Sequence, residues 1–149
     1  MNSETQYIFS SSINNVDSVK GINNWYFVSG GENGVLELWT SSKKKPVTTL
    51  ENLHNKKWIL SLGNVKNSDL LVSGSVDNYI NIYNINLDIP KISIINQIYS
   101  PGSINNFDFS KDGSFFISSV GSDQRLGRWV NTGKTKPGIV IYKRSENSK

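Results

Sequence analysis

His54, Ser73 and Asp77 are the residue types from which nucleophilic catalysis is built: a hydroxyl that attacks, an imidazole that takes its proton, and a carboxylate that orients the imidazole. That chemistry needs the hydroxyl held on a sharp, exposed turn beside oxyanion donors. Ser73 lies instead inside Leu70-Leu-Val-Ser-Gly74, a run that reads as strand interior. Asp108 and Asp112 are a second pair that could serve acid–base or metal chemistry, yet Asp112 falls in Ser110-Lys-Asp-Gly113, where Asp is favoured for turn formation. Gly30-Gly-Glu-Asn-Gly34 lacks the Lys-Ser/Thr and the following helix of a phosphate-binding loop and reads as a hairpin turn. The chain has no cysteine and one histidine. Thiol nucleophiles, disulfides, iron–sulfur clusters, cysteine zinc sites and any multi-histidine metal centre within one chain are thereby excluded. The expectation is a chain with no catalytic centre, no metal and no cofactor, whose polar trio has a structural purpose.

Composition narrows the partners. Of 149 residues 36% are hydrophobic and 12 are glycine, enough for the packed core of one domain or part of one. No apolar run approaches the ~18–20 residues that a membrane span needs. Residues 1–12 show no basic-then-apolar signal, and no Asn-x-Ser/Thr acceptor occurs. A soluble intracellular chain with no membrane partner and no small-molecule substrate is expected. The 19 asparagines, in pairs such as Asn14-Asn15, Asn23-Asn24 and Asn105-Asn106, lie between apolar runs; they read as turn residues or as an RNA-contacting tract. Charge is uneven. Gln124 to Lys149 holds seven basic residues (Arg125, Arg128, Lys134, Lys136, Lys143, Arg144 and Lys149) against one acid, Glu146, so a body of net −2 joins a +6 end. Such an end attracts phosphate-rich partners, or simply solvates the terminus.

A repeat sets the architecture. Val28-Ser-Gly-Gly-Glu-Asn-Gly-Val-Leu-Glu-Leu-Trp39, Val72-Ser-Gly-Ser-Val-Asp-Asn-Tyr-Ile-Asn-Ile-Tyr83 and Ser118-Ser-Val-Gly-Ser-Asp-Gln-Arg-Leu-Gly-Arg-Trp129 align. Each carries Ser ten residues before a terminal aromatic (Ser29/Trp39, Ser73/Tyr83, Ser119/Trp129) and Asn or Asp six before it (Asn33, Asp77, Asp123). The aromatics are 44 and 46 residues apart (83 − 39 and 129 − 83), close to the roughly 40–45 of four-stranded WD40 propeller blades. Apolar residues alternate with period two, as in Leu36/Leu38 and Ile80/Ile82, and no stretch shows a helical stripe.

The fold class expected is therefore all-β, a WD40 β-propeller of about three four-stranded antiparallel blades. A tail or outer strand of a preceding blade occupies 1–13, with its strand over Gln6–Ser10. The blades span about 14–50, 58–97 and 103–143, and a basic tail covers 144–149. Strands fall at about 14–20, 25–29, 35–40 and 46–50; at 58–65, 69–74, 79–84 and 91–97; and at 103–109, 114–119, 125–130 and 138–143. Three blades cannot close a ring of four to eight. The chain is expected to be the C-terminal part of a larger, seven-bladed propeller, or else to cover its end sheets with a second copy.

WD40 blades place a His before the first strand, a Ser on the second, an Asp in the next turn and a Trp on the third, joined in one buried network. His54, Ser73, Asp77 and Tyr83 occupy those places, with Tyr for Trp. The third blade supplies Ser119, Asp123 and Trp129 but no His, so its network must be incomplete. Arg128 aligns with Leu38 and Ile82 on a face that packs against a neighbouring blade, where a guanidinium must find partners or reach an edge. On charge, Arg125, Arg128, Lys134, Lys136, Lys143, Arg144 and Lys43-Lys44-Lys45 are the candidate RNA contacts. Lys43–Lys45 and Lys134/Lys136 fall in equivalent connections and are expected to share one face.

The run Ser103-Ile-Asn-Asn-Phe-Asp-Phe-Ser-Lys-Asp-Gly113 through Arg125-Leu-Gly-Arg-Trp129 resembles the last blade of the WD-repeat proteins of the U3 small nucleolar ribonucleoprotein. Trp58-Ile-Leu-Ser-Leu62 with Asn67-Ser-Asp-Leu-Leu-Val-Ser-Gly74 resembles the penultimate blade, and Lys43-Lys-Lys-Pro46 the basic connection one blade earlier. The resemblance covers most of residues 16–143. It implies a seven-bladed ring that binds a box motif of the U3 small nucleolar RNA beside a small RNA-kink-binding protein and other snoRNP proteins. The place would be the nucleolus, and the role recognition and assembly in pre-ribosomal RNA processing. The other reading is a WD40 scaffold that binds peptides through its loop face.

Overall fold

The computed structural model describes residues 7–65, 68–125, 127–131 and 135–143, with the backbone alone for 128–131. Strand alternation and turn chemistry build three β-units in chain order. The first comprises β1 (Val16–Gly21), β2 (Tyr26–Gly31), β3 (Leu36–Thr40) and β4 (Thr48–Leu50), paired antiparallel in that order. The second comprises β5 (Ser61–Asn64), β6 (Leu70–Gly74), β7 (Tyr79–Asn86) and β8 (Lys91–Tyr99), in the same meander. β9 (Ser103–Phe109), β10 (Phe115–Gly121), the short pair β11 (Asp123–Gln124) and β12 (Gly127–Asn131), and β13 (Gly138–Lys143) make the third unit.

The sheets lie side by side through a repeated joint. Ile59 N–H donates to Gly31 O at 2.9 Å, and one blade later Ile104 N–H donates to Ser75 O at 3.0 Å. At each joint an isoleucine lies directly over a glycine. A Cβ on Gly30 would stand 2.8 Å from Ile59 Cγ2, and one on Gly74 would stand 2.4 Å from Ile104 Cγ2. Only glycine lets the sheets approach this closely. Two cores result. Val28, Leu36, Leu38, Ile59, Leu71, Tyr83 and Ile85 fill the first junction; Val72, Ile80, Ile104, Phe107, Phe116 and Val120 fill the second. β3 is buried along its whole length, because it packs on both faces.

Three expectations are corrected. The outer strand placed at Gln6–Ser10 does not form over its described residues; Ser10 N–H bonds to Lys44 O, and the Phe9 ring packs edge-on against Phe27 and Trp39. In the third blade β13, not the 125–130 strand, pairs with β10, giving the order β13-β10-β9, while β11 and β12 form a separate hairpin. Seating β12 beside β10 would bring Arg128 to the position of Leu38 and Ile82, against a neighbouring blade. Gly138-Ile-Val-Ile-Tyr-Lys143 offers β-branched and aromatic residues for the same ladder without burying a charge.

The third correction is one of phase. Phe116, Ser118 and Val120 face inward and Ser119 is exposed, so Ser118 is the equivalent of Ser29 and Ser73. The two serines are adjacent, and a bulge between Ser119 and Val120 shifts the register that the repeat alignment assumed.

Candidate functional site

The polar residues singled out by the sequence meet at the rim where β2, β6 and β10 end (the exit rim). The opposite, entry rim is where those strands begin. In the second blade the turn 53–56 brings His54 over β6. His54 Nε2 lies 2.7 Å from Ser73 Oγ, and Nδ1 lies 3.0 Å from Asp77 Oδ1. Ser73 Oγ lies 2.8 Å from Tyr83 OH. Asn81 Nδ2 donates to Tyr83 OH at 3.2 Å, and Gln97 Nε2 donates to Asn81 Oδ1 at 2.8 Å. The Asp77 carboxylate accepts only, which assigns the proton of neutral His54 to Nδ1 and makes Nε2 an acceptor. The donors then run one way, from Gln97 through Asn81, Tyr83, Ser73 and His54 to Asp77. Burial, opposed by the bonds to Ser73 and Asn81, pushes the Tyr83 phenol up to about 12.

Ser73, His54 and Asp77 thus have the spacing of a nucleophilic triad. However, Ser73 is 0% exposed. Its proton goes to His54, and it accepts from Tyr83. A substrate carbonyl has no approach to this hydroxyl, and the group satisfies a buried junction instead.

The first blade solves the same problem without histidine. Trp39 Nε1 donates to Ser29 Oγ at 2.8 Å, and Ser29 Oγ donates to Glu37 Oε2 at 3.2 Å. Glu37 is fully buried, and it also accepts from Ser11 Oγ (2.6 Å), Ser12 Oγ (2.7 Å) and Ser12 N–H (2.9 Å). Glu37 pairs with Ser29 as Asn81 pairs with Ser73, so the two hold one register position. Sequence reasoning missed Glu37, Ser11 and Ser12. The signal was the absence of any histidine ahead of β1.

In the third blade the aromatic is Tyr142, not Trp129. Tyr142 pairs with Phe116, two residues before Ser118, as Tyr83 pairs with Leu71 and Trp39 with Phe27. Its ring stacks on Phe116 at 4.7 Å, and its hydroxyl donates to Ser100 Oγ at 2.6 Å. Among the described residues the buried hydroxyls of Ser103 and Ser118 have no partner. The spacing of ten to Trp129 concealed this, because the β11–β12 hairpin is inserted between β10 and the strand that carries Tyr142. The Trp129 and Arg128 side chains lie outside the described residues. Asp123 is half-buried in β11, and its carbonyl accepts from Asn105 Nδ2 at 3.1 Å.

The basic residues divide between the rims. Arg125 is exposed on the exit rim, its N–H bonded to Asn105 Oδ1 at 3.1 Å. Lys136, also exposed, precedes β13, whose first residue pairs with Val120, and so belongs to the exit rim. Lys43, Lys44 and Lys45 are exposed beyond β3, whose last residue pairs with the start of β2, and so lie on the entry rim. Lys143 pairs with Phe115 at the start of β10 and is on the entry rim too. The expectation that Lys43–Lys45 share a face with Lys136 is therefore corrected, and the changed position of β13 is the reason. Lys134 and Arg144 lie outside the described residues.

Asp112 serves its turn: bonds from the Ser110 and Ser114 hydroxyls and the Ser114 N–H hold its carboxyl down at about 2. Among the described residues no cluster of three or more His, Asp or Glu side chains could hold a metal ion.

Antiparallel sheets that repeat one glycine–isoleucine joint, the first two each closing a Ser–aromatic hydrogen bond, have the architecture of a stretch of WD40-repeat β-propeller. Residues 44–84 match the family model "WD domain, G-beta repeat". Within that class the likeness is to the U3 snoRNP WD-repeat proteins. The chain is 28% identical over 153 residues to "U3 snoRNP-associated protein-like EMB2271" of Arabidopsis thaliana, covering 93% of this chain and 32% of that protein. It is 28% identical over 147 residues to "U3 small nucleolar RNA-interacting protein 2" of Homo sapiens, covering 93% of this chain and 31% of that protein. It superposes on the solved structure of "RRP9 WD40 repeats" with a TM-score of 0.89 at 28% identity, over 95% of this chain and 46% of that one. The chain spans about a third of the length of the curated relatives it matches.

Proposed function

We propose that this chain works as part of a non-catalytic RNA–protein assembly subunit of the U3 small nucleolar ribonucleoprotein, acting in pre-ribosomal RNA processing in the nucleolus. The observation that carries this reading is the match over 93% of the chain to proteins whose names describe interaction with U3 small nucleolar RNA. The geometry supports it from the other side: His54, Ser73 and Asp77, the residues arranged like a catalytic triad, are buried and mutually satisfied, while Arg125, Lys136, Lys143 and Lys43–Lys45 are exposed. The partners are the U3 RNA, a small RNA-kink-binding protein and other snoRNP proteins, and the three blades are consecutive vanes of a larger ring. Arg128, Lys134 and Arg144 join the proposed contacts on charge alone.

The test titrates the full chain with U3 RNA, with and without the kink-binding protein, over a range of salt. The slope of log K against log salt should fall by roughly 0.7–0.9 for each contacting lysine or arginine changed to Gln. Binding that ignores both salt and the substitutions Arg125→Glu and Lys136→Glu would reject these residues as contacts. A hydrolytic activity lost in a folded His54→Ala variant would reject the non-catalytic reading.

A further inference from the structure

The turn between the first and second blades carries an unusual backbone. His54, Asn55 and Lys56 are consecutive residues with φ of 50°, 52° and 61°, and Asn52 precedes them at 59°. Left-handed conformation costs a non-glycine residue roughly 1–2 kcal/mol, and it normally occurs singly. His54 is held there by Ser73 and Asp77, and the turn thrusts Asn55, Lys56 and Lys57 into solvent. Asp77 Oδ1 binds His54 Nδ1 at 3.0 Å and also accepts from Tyr79 N–H at 3.1 Å. One carboxylate oxygen therefore ties the basic turn to the first residue of β7. Tyr79 pairs across the strands with Tyr99, their rings meeting edge to face at 5.6 Å. The two residues are 38% and 64% exposed. Side chains with π-faces on the same rim as exposed ammonium groups are what unpaired bases and their phosphates require.

Resting on the RNA-binding reading above, we infer that the exit rim of the second blade is a stacking platform for a single-stranded RNA segment. Tyr99 and Tyr79 take bases, and Lys56 and Lys57 take phosphates. Tyr99 is the main anchor, because its ring is the more exposed of the two. Lys56 and Lys57 act as point charges and supply affinity without sequence preference. Glu51 is exposed in the same connection and opposes them.

The experiment measures binding of the full chain to single-stranded oligouridylate, to a perfect duplex of equal length, and to a U3 RNA transcript. Tyr99→Ala should weaken oligouridylate binding about 5- to 100-fold, the range for one stacked base, and Tyr99→Phe should bind like the parent. Lys56→Gln and Lys57→Gln should each lower the salt slope by roughly 0.7, and Glu51→Gln should tighten binding. Oligouridylate carrying a photoreactive uracil should crosslink to the peptide containing Tyr99. Parent-like single-strand binding by Tyr99→Ala, or equal losses on duplex and single strand, overturns the platform. Should Tyr99→Ala leave U3 RNA binding intact, the platform falls and the RNA-binding reading stands; should the parent chain bind no RNA, both fall. Protection of Tyr99 by an acidic peptide with no RNA crosslink likewise overturns the assignment.

Discussion

Gly74→Ala tests the packing that makes these sheets a propeller. An alanine Cβ would lie 2.4 Å from Ile104 Cγ2, 2.5 Å from Ile104 Cβ and 2.8 Å from Ser61 Oγ. Carbon atoms prefer about 3.5–4.0 Å, so the second and third sheets must part by about 1 Å along the joint. Ile104 Cβ is fixed to its backbone and cannot rotate away. Overpacking of this kind costs roughly 1–3 kcal/mol, and stretching the bond from Ile104 N–H to Ser75 O adds about 0.5–1.5 kcal/mol, for a loss of about 2–4 kcal/mol. At Gly30 the nearest contact is 2.8 Å, to Ile59 Cγ2, and Gly30→Ala should cost less, about 1–2 kcal/mol. Nothing lies within 4 Å of a Cβ on Gly21, so Gly21→Ala should be neutral or stabilise slightly. Adding Ile104→Val to Gly74→Ala should not restore stability, because valine keeps both the Cβ and the Cγ2 that clash. Urea unfolding followed by tryptophan fluorescence measures the series. A Gly74→Ala midpoint equal to the parent's, a reversed order, or rescue by Ile104→Val would refute the joint.

Two further outcomes follow from the buried networks. Below pH 10 the folded and unfolded chains both keep the phenol proton of Tyr83. Between 10 and about 12 the unfolded chain releases it and the folded chain does not, so stability falls across that window by about 2–3 kcal/mol. Tyr83→Phe should be less stable at neutral pH by about 1–2 kcal/mol, since Ser73 and Asn81 lose a partner, and should lack this share of the alkaline loss. Urea midpoints measured from pH 8 to 12 decide it; identical slopes for the two proteins would contradict the burial argument. Glu37→Gln keeps the shape of the first-blade network but weakens the charge-assisted bonds from Ser11 and Ser12. It should cost about 1–3 kcal/mol and speed amide exchange at Ser12 ahead of the rest of the first sheet. Unchanged Ser12 exchange would mean that this carboxylate does not hold the segment.

Much of the fold was legible because period-two alternation and turn chemistry are local. The strands of the first two sheets fall within a few residues of the places that Leu36/Leu38, Ile80/Ile82 and the Asn33-Gly34 turn assign them. The trio His54, Ser73 and Asp77 was also visible, because the repeat placed each member on a nameable strand or turn. Glu37 was not: alternation alone sends it outward, and it is buried only because β3 packs on both faces.

From the residues alone came the all-β architecture, the blade spacing and the charge imbalance, since each depends on neighbours along the chain. Tertiary structure decided which of two candidate strands completes the third sheet, and which of the adjacent serines Ser118 and Ser119 turns inward. It also decided that Tyr142 takes the place that spacing had given to Trp129. Those choices rest on whether β13 or the strand carrying Arg128 pairs with β10 and on a single bulge in β10, and neither is fixed until the sheets are packed together.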